Sequence, residues 1–375
     1  MARNRHISQS DALFVSDGTN APTITQATGV IKQLNRVQSA NYGGQFSRVD
    51  VNQFGQLGKI DSLVLDSPTV TLDYEYFIHN GYNEHIAGFS IGNDFSTPFL
   101  SGQTVTDPAS NATAAGASSG RNYYILSTPE GTDANFRTIA SGSGNSIFSI
   151  GNAWVTDYNV SAAVGSIPTA SITVEGFNGA CTAYTNRTGR LPSVDSVGAR
   201  STGTYTLPTP TTGTGMGATA LRPGDIQLIL GDSAMFTDLD DVDPGTSAHI
   251  QSFSISVPLS RSTLQRLGSN YGYAKEIDFP VNIDVSVSAL AADFKDGSID
   301  AILLANAFNT LTMVLKNSAG VPVIGYQVKG CQIQNENFSS AVGSNKTVDY
   351  SFTSQVAGPG DTTVGLFVSG ANAPF

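Results

Sequence analysis

The chemistry open to this chain is best sought first among its few histidines, its cysteines and its clustered acids. The histidines are His6, His79, His85 and His249, and none stands at a metal-binding spacing such as H-x-x-x-H beside a carboxylate. Gly116-Ala117-Ser118-Ser119-Gly120 fits G-x-S-x-G, but a nucleophile elbow needs a strand before the serine and a helix after it. Here the motif lies inside Ser101–Arg121, a low-complexity run without apolar periodicity that is expected to be a mobile loop. Gly213-Thr214-Gly215-Met216-Gly217 likewise lacks the strand–helix setting of a phosphate cradle. Asp238, Asp240, Asp241 and Asp243 form the densest carboxylate cluster. The EF-hand spacing fails there at Val242, where the loop needs an oxygen ligand, so a solvated acidic loop is the simpler reading. Cys181 and Cys331 are expected to be free, buried thiols of a reducing compartment. Sequons at Asn111, Asn159, Asn186, Asn337 and Asn345 are what a chain rich in Asn, Ser and Thr produces by chance. No enzyme, no cofactor and no metal are expected.

With chemistry set aside, the organisation of the chain comes from an internal repeat. VQSANYGGQFSRVDVNQFG, starting at Val37, sits without gaps over IQSFSISVPLSRSTLQRLG, starting at Ile250, an offset of 213 (250 − 37). Gln38, Ser39, Ser47, Arg48 and Gly55 return as Gln251, Ser252, Ser260, Arg261 and Gly268, and apolar replaces apolar between them. A second block, NVSAAVGS from Asn159, returns as NFSSAVGS from Asn337, an offset of 178 (337 − 159). Self-similarity of this kind marks a tandem architecture. We therefore expect two modules, 1–185 and 223–375, separated by a Pro- and Gly-rich linker at 186–222.

Both modules read as strands. Val70, Leu72, Tyr74, Tyr76 and Ile78 alternate with Thr71, Asp73, Glu75 and Phe77, which gives one buried and one wetter face. VNIDVSVSAL from Val281 does the same, and one extra residue allowed at Thr69 sets Asp73 over Asp284. Residues 1–30 are expected to form an arm or an edge strand, and residues 80–88 a helical turn or a loop. Ser298 is placed to cap a short helix over IDAILLANA. Leu311–Leu315 and Val321–Val328 read as a hairpin. With 39 glycines and only 13% charged residues, the composition suits an all-β fold of short strands rather than a helical bundle. The net charge of −11 disfavours tight binding to a phosphate backbone. The chain opens without an apolar run after Arg3 and Arg5, so no secretory signal is expected, and no run of about 18 apolar residues suggests a membrane span.

The residues of the repeat also carry a resemblance. VQSANYGGQFSRVDVNQFGQLGKIDSLVLDSPTVTLDYEYFIHNGYNE, its second copy HIQSFSISVPLSRSTLQRLGSNYGYAKEIDFPVNIDVSVSALAADF and the two Asn-x-Ser blocks resemble major tail tube proteins of tailed bacteriophages. The resemblance spans roughly 36–180 and 223–360 and rests on pattern, with no invariant catalytic signature. It implies two tandem β-sandwich or half-barrel modules, assembly into stacked rings, and a hollow tube through which viral DNA passes without specific binding. Partners implied are further copies of the chain, a tape measure, a tail terminator and baseplate or tail-tip proteins, in a virion tail assembled in the host cytoplasm. Because six module positions are filled by three two-module chains, trimeric rings with pseudo-six-fold inner walls are expected. Asp73, Glu75 and Asp284 are the candidate acidic residues of the lumen. Another virion or cell-surface structural protein, such as a capsid decoration or fibre protein, is the alternative.

Overall fold

Strands of strict alternation need a second apolar layer, and the described strands, each of them paired, supply it. The structure, a computed structural model, describes residues 11–16, 31–103, 120–130, 134, 146–183, 188–194, 199–209, 226–230, 250–272, 274–290, 309–316, 321–339 and 347–370. The first half holds β1 (Ala12–Ser16), β2 (Ile31–Gln33), β3 (Val37–Gln45), β4 (Arg48–Val51), β5 (Asp61–Val64), β6 (Thr69–Phe77), α1 (Tyr82–Ile86), β7 (Arg121–Ser127), β8 (Ser146–Ala163), β9 (Thr169–Gly176) and β10 (Asn178–Ala183). The short strands β11 (Thr188–Arg190) and β12 (Thr204–Thr206) follow. The second half holds β13 (Ile226–Leu230), β14 (Ile250–Pro258), β15 (Arg261–Leu264), β16 (Ala274–Ile277), β17 (Val281–Leu290), β18 (Asn309–Lys316), β19 (Pro322–Ser339), β20 (Thr347–Val356) and β21 (Gly365–Gly370). The fold is all-β, as the alternation predicts.

One layer is a continuous antiparallel sheet in the order β3-β6-β9-β8-β14-β17-β20-β19. Its ladders keep the two sequence offsets. Ala40 faces Tyr74 between β3 and β6, and Phe253 faces Val287 between β14 and β17, each 213 residues on. Asn159 faces Ser171 between β8 and β9, and Asn337 faces Asp349 between β19 and β20, each 178 residues on. Even the irregularities correspond: β8 breaks register between Val155 and Asp157, and β19 between Ile333 and Asn335. The hairpins obey the same shift, Arg48 facing Val64 in β4–β5 and Arg261 facing Ile277 in β15–β16. Their tips turn on Gly55 and Gly268, at φ 90° and 85°, a conformation a side chain would strain.

The second layer uses the same long strands. β8 and β19 run 18 residues each. The first half of β8 pairs with β7 and β10, and the first half of β19 with β18 and β21. Leu72, Tyr74, Tyr158, Ile255 and Val285 from the continuous sheet then share one core with Tyr123, Met313, Tyr326 and Val368 from this layer. Each fully buried aliphatic side chain contributes about 1.5–3 kcal/mol.

Several expectations change here. β1 is no arm: all of its residues are buried, and it lies between β2 and β7. Its run Ala12–Val15 is apolar throughout, as a strand covered on both faces must be, and the buried Ser16 that ends it accepts from Asn122 N. The stretch read as a linker contains paired strands β11 and β12, which bury Leu191, Tyr205 and Leu207 beside Phe14 and Tyr124. Asp284 faces Ser256 and Thr353, which is the level of Thr71; the residue at the level of Asp73 is Ser286. The extra residue allowed at Thr69 is therefore not needed, because the ladder runs through at constant offset. Tyr82–Ile86 forms the expected helical turn, and β18–β19 the expected hairpin. Residues 116–119 of the G-x-S-x-G motif, the Gly213–Gly217 run, the aspartates 238–243 and the expected helix after Ser298 lie outside the described residues.

Candidate functional site: a polar wall and an internal seam

The continuous sheet has two unlike faces. Its apolar face is buried in the core from β6 to β20 and is open along β3; its other face carries Asn41, Asp73, Thr173, Asp157, Ser254, Asp284, Ser351 and their neighbours, exposed or half-exposed. Alternation alone dictates this, since pleating turns successive side chains to opposite sides. Between Trp154 and Ala163 of β8, between Cys331 and Ser339 of β19 and throughout the other six strands there is no lysine or arginine. The same strands carry Asp73, Glu75, Asp157, Glu175, Asp284, Glu336 and Asp349.

These carboxylates sit among hydroxyls and amides. Thr353 Oγ1 donates to Asp284 Oδ1 at 2.7 Å, and Asn159 Nδ2 donates to Asp157 Oδ2 at 2.5 Å. Gln355 Nε2 donates to Asn282 Oδ1 at 3.1 Å, and Ser161 and Thr169 join hydroxyls at 3.1 Å. Asp73 and Asp157 flank the same residue, Thr173, from opposite strands. Partial burial raises the Asp157 carboxyl above its ordinary value, and the negative charge of Asp73 adds to the rise. Such a wall repels anions and offers a polyanion nothing to hold.

Asp73, Glu75 and Asp284 all lie on this face, with Asp73 and Asp284 exposed and Glu75 half-buried. Asp157 and Asp349 belong with them and escaped the sequence reading. Their signal was present: Asp157 stands two places before the repeated Asn159 block, and Asp349 is the third residue of the alternating run TVDYSFTSQV.

The second feature is the seam where the two halves meet. β8 and β14 pair from Asp157–Pro258 to Ala163–Ser252, and the ladder extends through Leu259 N to Thr156 O and Val164 N to Gln251 O, both 2.8 Å. On its apolar side Tyr158, Val160, Phe253, Ile255, Val257 and Leu259 are all buried. The β15–β16 hairpin then folds over the first half. Arg261 donates from Nε to Val155 O (2.6 Å), from Nη1 to Lys275 O (3.1 Å) and from Nη2 to Gln103 Oε1 (3.1 Å). Lys275, its side chain 4% exposed, pairs with Glu175 at 2.6 Å. Gly272 N donates to Ser67 Oγ at 3.1 Å, and Tyr271 packs on the edge-to-face pair Trp154–Phe177. Burying a cation requires such a full set of oxygen partners.

No group of three His, Cys, Asp or Glu is placed to hold a metal ion among the described residues. Cys331 is buried as expected, whereas Cys181 is exposed; both are free. No helix among the described residues is long and apolar enough to cross a membrane.

A scan against protein-family models finds no matching family, and a search of curated proteins finds no matching relative. Among solved structures, the SPP1 tail tube determined by solid-state NMR and cryo-EM aligns at a TM-score of 0.26 and 14% identity, over 40% of this chain and 79% of that one. The baseplate of the anti-feeding prophage, 6-fold symmetrised, aligns at a TM-score of 0.24 and 14% identity, over 36% of this chain and 100% of that one.

Proposed function

We propose that this chain is a structural subunit of a phage-type tail tube. In this reading it is a duplicated tube module that joins its own copies side by side into rings. The rings stack, and the polar wall lines the channel through which DNA is ejected. The observation that carries the proposal is the continuous eight-strand sheet: polar on its open face, free of lysine and arginine over the strand segments that form it, and ending at β3 and at Gln332–Ser339 of β19 in edges without a further strand partner among the described residues. Unpaired edges are an aggregation hazard unless they are used, and closure into a ring uses all of them.

The size of such a ring suits the task. Three chains contribute 24 strands, eight from each. At about 4.8 Å between strands the circumference is roughly 115 Å and the diameter roughly 37 Å, more if the strands tilt. Side chains narrow this to an opening on the order of 25 Å, room for a duplex. The resemblance of the two copies to tail tube proteins supports the same reading, as do the shared ladder offsets, which fit a duplication.

Electron microscopy of the purified chain tests it: rings or tubes with three chains per ring are expected, and spikes, flat sheets or a dispersed monomer would overturn it. Reversing charge on the wall, Asp73→Lys with Asp284→Lys, is expected to slow or stall DNA ejection. Unchanged ejection from tubes that still assemble would remove the wall from the lumen.

A further inference from the structure

Within one chain the β8·β14 seam shows how two halves join, and the ladder offsets say which residues would make the same seam again. β3 stands where β14 stands in the other half, and β19 where β8 stands. β14 is paired on both sides, with β8 and β17; among the described residues β3 is paired only with β6. The first half of β19 has partners on both sides, whereas among the described residues Gln332–Ser339 pairs with β20 alone. The chain therefore carries one completed seam and the two separated halves of another.

Burial tells the same story. Ile255 and Leu259 are 0% exposed at the completed seam, while Tyr42 and Phe46, 213 residues earlier, are 52% and 61% exposed. The β15–β16 hairpin is folded down on the first half through Arg261 and Lys275. Its counterpart β4–β5 leaves Val49, Val51, Leu63 and Val64 exposed by 38–46%, and Arg48, at the Arg261 position, is exposed as well. A run of exposed apolar residues of this kind marks a contact surface. At the completed seam Ile255 and Leu259 are buried, and in the matching hairpin Ala274 and Lys275 are buried while Arg261, Leu264 and Ile277 are half-buried against the first half.

We propose that the seam between chains copies the seam within the chain: β3 pairs antiparallel with Asn335–Ser339 of a second copy, setting Asn41 opposite the neighbour's Ser339, Gly43 opposite its Asn337 and Gln45 opposite its Asn335. This register follows from Ser254–Ser161, Ser256–Asn159 and Pro258–Asp157 by the two offsets. Phe46 N then donates to the neighbour's Gln334 O, as Leu259 N does to Thr156 O. The β4–β5 hairpin closes over the neighbour, with Arg48 reaching the Ile333 carbonyl as Arg261 reaches that of Val155. The inference rests on the self-assembly reading above and adds to it the register and the hairpin clamp.

The register makes a sharp test. Leu259–Thr156 and Gln251–Val164 are hydrogen-bonded pairs of the ladder. Alternation makes Ser256–Asn159, and hence Gly43 with the neighbour's Asn337, a non-hydrogen-bonded pair. Cα atoms in such pairs lie about 4.5 Å apart, within disulfide reach. A cysteine at Gly43 meets only Thr71 Oγ1 at 3.6 Å, ordinary contact. In a Cys181→Ser background, Gly43→Cys with Asn337→Cys is expected to give a ladder of disulfide-linked multimers on non-reducing gels. Gly43→Cys with Asn335→Cys, out of register, is expected to give at least fivefold less. Gly43→Cys alone is expected to stay unlinked; a linked dimer from it would mean β3 pairs two-fold with another β3 and would overturn the proposal. Phe46→Asp is expected to leave the chain folded by circular dichroism and to abolish multimers. Rings or tubes in the microscope without the 43–337 link would sink this seam and spare the tube. A wild-type chain that stays monomeric at all concentrations would sink both.

Discussion

Arg261 tests whether the internal seam is held by its clamp as well as by its ladder. Replacing it with methionine keeps much of the side chain's length and removes the guanidinium. Three oxygens, on Val155, Lys275 and Gln103, then lose their donor. Each buried acceptor left without a partner costs about 1–3 kcal/mol, so the loss is on the order of 6 kcal/mol. Against this stands a gain. Burial pulls the pKa of Arg261 down to about 10, and relief from holding that charge inside is worth about 3 kcal/mol. The net expectation is destabilisation by about 3 kcal/mol, read from urea unfolding of the purified chain by far-UV circular dichroism. Arg48→Met, at the matching position of the exposed hairpin, should stay within about 0.5 kcal/mol of wild type in the same assay. Equal losses at the two arginines, or no loss at Arg261, would refute the clamp.

Other expectations follow from individual groups. Burial raises the Glu84 carboxyl above its ordinary value, so the folded chain keeps that proton to higher pH than the unfolded one. Its contribution is fully present below the ordinary carboxylate value and is lost as pH rises through the raised one. Glu84→Gln, which can still accept from Tyr158 Oη, should therefore be more stable than wild type at pH 7 and similar near pH 4; urea midpoints across that range decide it. Cys181 is exposed, while burial pushes the Cys331 thiol up to about 12. A thiol reagent should consequently titrate one equivalent in the native chain and a second only in denaturant. Ile255→Ala, at a fully buried seam position, should cost about 2–5 kcal/mol in unfolding free energy.

What the sequence made legible was what depends on neighbours along the chain. Alternation assigned the faces of β6 and β17 correctly, because pleating is local. It placed Asp73, Glu75 and Asp284 on one polar face for the same reason. The two offsets were readable too, since Gln38, Arg48 and Gly55 recur unchanged. What could not be read was pairing across distance. Nothing in Asn159 or Ser256 announces that these residues face each other, because register between strands far apart in sequence is set by packing of their apolar sides. The β11–β12 pair hid for a different reason. Leu191, Tyr205 and Leu207 are isolated apolar residues in a stretch of Pro, Gly, Ser and Thr, too sparse for a period. Asp157 was missed because the repeated block was taken to begin at Asn159, although the strand runs through both.

Joining the two halves through β8 and β14 also changes how an assembly of such chains would depend on concentration. A junction inside one chain forms at the effective concentration set by the connecting polypeptide, on the order of millimolar for a short flexible link, whatever the amount of protein present. In a ring of three chains, half of the six junctions would be of that kind. Closure then requires three bodies to meet instead of six, so the onset of assembly with rising protein would be that of a third-order process. The internal junction would also be free to diverge from an external one: Ile255 and Leu259 occupy the first, where Tyr42 and Phe46, exposed in the single chain, would occupy the second. One can be tuned for permanence while the other stays reversible enough to correct a misplaced subunit.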